Sequence, residues 1–430
     1  LPHPIRDETI DDERIATGRE NAMTSALTSI RSPALAKRRP VDESAARDAR
    51  AAKWAHLRPS SATLYVENKC NLKCAHCYES EDTHPTEEFK LSLDDYARIL
   101  DELAALGTLS LTITGGEIFM RRDVLDIVEL ARKKRFSVTL FTSGTLIDEK
   151  KADRIAALKM KSVEITVYSH DAAVHDRFTG IPRSHEKSVR ALRLLRERGV
   201  KTLMKANLTT FNVDHIDDMI ALARSLDADF TFDPTVKPRM NGDRSPLQYA
   251  LSPDELRRKV FSRPDLYTAF KKYQPSDLCT GESTLLPDEG ALCSAAQSGL
   301  SISADGGVYA CGFFPEAGGH VSEGPLKDIW FGSAQFDRVR DTSFEKMSSC
   351  GSCGVKSTCS PCMAYSLVEH GDHTACSTPS LQLATAIHML AEQKVAKNAQ
   401  MERGKPLPLV GDTEVLRPPL KGGAAALSIE

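Results

Sequence analysis

The chain has 430 residues, with 56 basic against 59 acidic side chains, a net charge of −3 and 41% hydrophobic residues. That length suggests roughly two to three domains with ample material for a core. The balanced charge gives no basic field for nucleic acid, and no apolar run is long enough to span a bilayer. Aromatics are sparse at 6%, which disfavours an all-β sandwich. The amino terminus lacks the charged-then-apolar pattern of a secretory signal, so a cytoplasmic location is expected. The sequence begins with Leu1, and Met23 is an alternative start. Eleven cysteines in such a chain, odd in number and clustered, argue for metal or cluster ligation over disulfides.

In chain order, residues 1–57 have no aromatic before Trp54 and read as a mostly disordered leader, with a possible helix over 45–57. From residue 62 strands and helices alternate. Strands are expected at 62–67, 109–114, 136–142, 163–168, 202–208 and 229–233. Helices are expected at 91–106, 123–134, 148–158, 185–198 and 213–226, the first opened by a Ser92/Asp95 capping box. Such βα units make a parallel sheet, either doubly wound or curled into a partial barrel. Beyond Pro234 the alternation stops, and a bridging segment over 251–278 begins with a short helix at 252–261. Residues 279–380 hold eight of the cysteines and too little aliphatic content for an ordinary core. Within them, 300–303 and 308–311 flank Asp305-Gly306-Gly307 as a hairpin. A last helix is expected at 381–396, followed by a loose tail to 430.

The chemistry starts directly after the first strand, where Cys70, Cys74 and Cys77 form CxxxCxxC, followed by Tyr78. Loops at the carboxyl ends of parallel strands are where ligands bind. Three thiolates are one short of closing a [4Fe–4S] cluster and would leave one iron open. A zinc knuckle completed by His76 or a distant residue is the alternative.

CxxxCxxC after strand one of a six-unit βα chain resembles the radical S-adenosylmethionine (SAM) superfamily. That resemblance implies a partial (β/α)6 TIM-like barrel over 58–250. Thr114-Gly115-Gly116-Glu117 resembles the family's GGE motif for the methionyl amine of SAM, with glycines allowing close approach and the carboxylate accepting from the ammonium. Thr142-Ser143-Gly144 resembles its Thr-Asn-Gly loop, with Ser143 where Asn is usual. By the same resemblance Tyr78, Thr166, Tyr168, Ser169, Lys205 and Asn207 would also contact SAM.

The later cysteines resemble the SPASM domain that follows many peptide-modifying members: Cys293, Cys311, Cys350-x2-Cys353-x5-Cys359-x2-Cys362 and Cys376, with Cys279 ahead of them. Asp328-Ile329-Trp330, Phe336 and Arg340 resemble the helix between its halves. The implied ligand sets are Cys279, Cys293, Cys311 and Cys362 for one auxiliary [4Fe–4S] cluster, and Cys350, Cys353, Cys359 and Cys376 for the other. Two structural zinc sites are the alternative.

The expected function is therefore reductive cleavage of SAM to a 5′-deoxyadenosyl radical that takes hydrogen from a peptide precursor, leaving a crosslink, epimerised centre or oxidised residue. Asp233, Arg239 and Asp243 are the substrate-side candidates. Expected partners are the precursor peptide and a flavodoxin- or ferredoxin-type electron donor, with the leader held by a separate leader-binding protein or by the barrel itself, since no extra leader-binding domain is read before the barrel. Nucleic acid and membrane are not expected. Small-molecule chemistry in cofactor or haem biosynthesis, and a non-catalytic metal-binding scaffold, are the alternatives.

Overall fold

A computed structural model describes residues 43–79, 90–263, 266 and 292–403. Six strands, β1 (Ser61–Glu67), β2 (Ser110–Gly115), β3 (Ser137–Thr142), β4 (Ser162–Thr166), β5 (Thr202–Asn207) and β6 (Asp229–Asp233), lie parallel in chain order. Helices α2 (Leu93–Ala105), α3 (Val124–Lys133), α4 (Glu149–Ala157), α5 (Ala172–Thr179), α6 (Ser184–Glu197) and α7 (Ile216–Ser225) provide the crossovers. The α/β fold with a parallel sheet and a cysteine-rich carboxyl-terminal region agrees with the sequence expectation.

The strands alternate in a way that decides where the site lies. Leu64, Ile113, Leu140, Ile165 and Met204 are completely buried under the helices. Their neighbours one residue away, Tyr65, Thr114, Phe141, Thr166 and Lys205, line a cavity on the opposite face. α2 starts as expected, with Ser92 Oγ accepting from Asp95 N and the Asp95 carboxylate accepting from Ser92 N at 2.9 Å.

Three features differ from expectation. Helix α5 was not foreseen, although Asp171 caps it by accepting from Ala173 N at 2.7 Å and Gly180 ends it at φ 69°. The helix α1 (Glu43–Lys53), expected over 45–57 as part of a mostly disordered leader, is instead docked on the helices Leu326–Gly332 and Ala334–Asp341. Arg50 Nε donates to Gly332 O at 2.8 Å, and Trp54 Nε1 to Asp337 at 2.6 Å. Arg340 anchors this contact, its guanidinium 4.7 Å from the Trp330 ring and 5.6 Å from Trp54.

Third, the expected hairpin is not confined to a second domain. β7 (Gly299–Ile302) pairs in parallel with β1 in the register Ser61↔Gly299 to Leu64↔Ile302, and β8 (Gly307–Tyr309) and β9 (Gly319–His320) follow antiparallel. One nine-stranded sheet thus runs β6-β5-β4-β3-β2-β1-β7-β8-β9. The segment after β6 ends in Pro253–Glu255 and a π-helical turn, Leu256–Phe261, and the last helix runs over Thr378–Arg403, longer at both ends than expected. Among the described residues no helix is long and apolar enough to cross a membrane.

Candidate functional site

The loop after β1 carries Cys70, Cys74 and Cys77 and is held from three sides. Lys73 N and Ala75 N donate to Thr179 O and Phe178 O of α5 at 2.8 and 2.9 Å. Asn71 Nδ2 donates to Thr145 at 3.0 Å, and Met240 N donates to Tyr78 O at 2.8 Å. The unforeseen helix is therefore a support of the cysteine loop. His76 rests with its ring 5.0 Å from both Tyr168 and Phe178. Burial above all, with the nearby Cys77 and Cys70 sulfurs, pushes the Cys74 thiol up to about 12, and burial pushes Cys77 to about 11. Buried thiols so arranged suit a positively charged iron centre that takes them as thiolates.

β2 ends against this loop. Gly116 N donates to Glu67 O at 2.8 Å, and Glu117 N to Lys69 O at 2.9 Å. A Cβ on Gly116 would lie 2.6 Å from the carbonyl oxygens of Asn68 and Lys69, and one on Gly115 would overlap Glu67 O. The glycines thus let backbone meet backbone, besides lining the cavity.

Glu117 corrects an expectation. Its carboxylate does not line the cavity and is fully buried. Oε1 accepts from Phe119 N at 3.1 Å and Thr142 Oγ1 at 2.7 Å, and Oε2 accepts from Ser143 N at 2.8 Å and from Ser143 Oγ. With those positions filled, Glu117 braces the Thr142-Ser143-Gly144 loop and has no free acceptor for an ammonium. Ser169 is likewise fully buried outside the cavity, its Oγ accepting from Asp171 N at 3.1 Å. Tyr78, Gly115, Gly116, Ser143, Thr166, Tyr168, Lys205 and Asn207 do line the cavity.

The cavity, about 1420 Å³, runs from the three-cysteine loop to Cys311, Gly312 and Phe313. The substrate-side candidates Asp233, Arg239 and Asp243 also line it. Lys237 donates to Asp233 at 2.6 Å; against the desolvation of burial, Lys237 and Thr235 hold the Asp233 carboxyl below its usual range. Arg239 Nε lies 3.3 Å from Asp243 yet has no hydrogen-bond partner. Glu164 and Phe141 were missed. Glu164 pairs with Lys205 at 3.1 Å, and the Lys205 ammonium sits over the Phe141 ring. The signal was present: in Val-Glu-Ile-Thr-Val-Tyr at 163–168 the polar residues alternate with those facing the helices.

The later cysteines form two groups. Cys311 is pushed up to about 12 by burial and then by Cys362 and Cys293. Cys359 is pushed to about 12 by burial and then by Cys350, Cys376 and Cys353. Cys279 lies outside the described residues. Among the described residues no three cysteine sulfurs lie within 4.8 Å of one another. Tetrahedral zinc, at about 2.3 Å per Zn–S bond, needs sulfurs about 3.8 Å apart. The wider spacing suits a cluster better than a zinc knuckle.

Residues 64–226 match the radical SAM superfamily, and residues 293–354 match the iron–sulfur cluster-binding domain SPASM. The AdoMet-dependent heme synthase of Methanosarcina barkeri is 24% identical over 322 residues, 71% of this chain and 91% of that one. The PqqA peptide cyclase of Granulibacter bethesdensis is 24% identical over 359 residues, 79% and 91% of the two chains. Streptococcus suis SuiB bound to S-adenosylmethionine has the same fold, with a TM-score of 0.60 at 19% identity over 77% of this chain and 80% of that one. The cofactors are accordingly [4Fe–4S] clusters and S-adenosylmethionine. A radical SAM domain and a SPASM iron–sulfur domain are thus present in this chain, joined through one shared sheet.

Proposed function

We propose that this radical SAM enzyme modifies a peptide. The observation that carries the reading is the cavity between the two cysteine regions. At about 1420 Å³ it exceeds the roughly 300–1,000 Å³ of ordinary small-molecule sites, leaving room for an extended chain beside SAM. Cys70, Cys74 and Cys77 would hold the SAM-binding cluster. Cys293, Cys311 and Cys362, with Cys279, would hold one auxiliary cluster, and Cys350, Cys353, Cys359 and Cys376 the other. When bound, cluster and SAM supply reductive sulfonium cleavage and hydrogen-atom abstraction.

The chain's own residues bind and orient. The backbone at Gly115 and Gly116 and the Ser143 loop form the wall beside the cysteine loop. Tyr168, Asn207 and Lys205 form the next wall. Arg239, which lines the cavity, would take a substrate carbonyl or carboxylate with its guanidinium. Asp233, kept ionised by Lys237, would accept a hydrogen bond from substrate. A flavodoxin- or ferredoxin-type protein would supply electrons, and the precursor's leader would be held by a separate protein or by the barrel.

The relatives named heme synthase favour a second reading, a small-molecule substrate in haem formation. Anaerobic turnover separates the two. The reconstituted protein is given reductant, SAM and either short peptides encoded beside its gene or a haem precursor, and 5′-deoxyadenosine and product masses are followed. A changed peptide mass supports the proposal. Conversion of the haem precursor with every peptide unchanged refutes it.

A further inference from the structure

The loops after β4 and β5 are clasped together by Asn212, which is 1% exposed. Its Nδ2 donates to Tyr168 O at 2.8 Å and to Asn207 O at 2.9 Å. Beyond that clasp stand His170, two residues past Tyr168, His215, three past Asn212, and Asp218 in the first turn of α7. The His170 and His215 Nδ1 atoms lie 3.9 and 3.7 Å from Asp218 Oδ2, and the rings are 5.4 Å apart. Among the described residues this is the one group that brings three metal-ligating side chains within 4.8 Å of one another.

The contacts are too long for hydrogen bonds and close to the spacing of metal ligands. Zinc bonds of about 2.0–2.2 Å in a tetrahedron set neighbouring N and O atoms about 3.4 Å apart. Closing from 3.7–3.9 Å takes only rotations of exposed side chains. His170 Nδ1 is shut from solvent and has no hydrogen-bond partner. The neighbouring carboxylates are otherwise engaged, Asp214 with Lys259 and Asp217 with Arg263, whereas Asp218 faces the two imidazoles.

We propose that His170, His215 and Asp218 bind a divalent transition-metal ion, separate from the cysteine-held clusters. Two imidazoles and a carboxylate with an open fourth position are a donor set suited to zinc. The ion would lock together the loops that carry Tyr168 and Asn207, reinforcing the Asn212 clasp from outside.

The test uses cluster-replete protein under anaerobic conditions, incubated with zinc sulfate and desalted, with zinc and iron counted on the same sample. The expected result is about one zinc retained per chain with iron unchanged. That zinc is lost in the His170→Ala/His215→Ala variant, and Asp218→Asn weakens its binding by roughly tenfold or more. Circular dichroism and iron content check the fold, and Asp218→Asn decides the matter if the double variant fails to fold. Equal zinc in wild type and variants, no retained zinc, or zinc gained only as iron is lost overturns the proposal.

Discussion

Glu117 and Ser143, at the ends of neighbouring strands, are joined by a buried carboxylate contact: Glu117 Oε2 accepts from Ser143 N at 2.8 Å and also from Ser143 Oγ. Through Ser143 Oγ and Thr145, 2.8 Å apart, and Thr145 and Asn71, 3.0 Å apart, this contact continues to the cysteine loop. Replacing Glu117 by Ala strands the buried Phe119 N–H and takes the acceptor from Ser143 N–H at the cavity wall. We predict a loss of roughly 3–5 kcal/mol in stability together with weaker SAM binding. Denaturation of the reconstituted protein, followed anaerobically, is the measurement. A melting point equal to wild type would show that the brace is unimportant.

Gly116→Ala places a methyl carbon 2.6 Å from two carbonyl oxygens of the loop that leads into Cys70. The loop must shift, so the variant should keep its auxiliary iron while losing roughly four irons and SAM cleavage. Iron counting beside 5′-deoxyadenosine assay reads both. Full iron and full turnover would mean that the loop yields at no cost.

Changing Cys70, Cys74 and Cys77 together to Ala should abolish SAM cleavage and lower the iron from about twelve to about eight per chain. Within each of the two later groups the sulfurs act on one another, and both groups lie apart in sequence from the first three. Loss of all iron would refute independent clusters.

His175 gives the fold an acid sensitivity. Its Nδ1 accepts from Tyr168 N at 3.1 Å, so the buried ring is neutral. Burial first, and then His185, lower it from 6.5 to about 4, with Asp176 opposing. The folded value lies below the unfolded one, so the contribution is complete above pH 6.5 and declines as pH falls toward 4. His175→Asn, which keeps an acceptor at that place, should remove roughly 1–2 kcal/mol of the stability lost on going from about pH 6.5 to about 5. Denaturant unfolding across that range tests it, and parallel wild-type and variant slopes would count against it.

Much of this was readable in advance because it is local. The β/α alternation, the Ser92/Asp95 cap and the cysteine spacing all act over a few residues. Helix α5 announced itself through Asp171 and Gly180 but is only two turns long, with too few apolar residues to show a period. What escaped was long-range. Nothing in residues 299–302 names β1 as their partner, because strand pairing is chosen by tertiary packing. Glu117 was assigned to a ligand because its motif is contiguous with the glycines, whereas its acceptors are filled from residues 142 and 143 on the next strand.

The pairing of β7 with β1 means that the two cysteine regions cannot be inherited, cut or expressed as interchangeable parts. A chain stopped before Gly299 would turn β1 from an interior strand into an exposed edge, leaving the backbone groups over Ser61 to Leu64 open to any passing strand. The truncated barrel should therefore self-associate, and attempts to graft a foreign auxiliary domain onto it would have to supply a matching strand as well as cysteines.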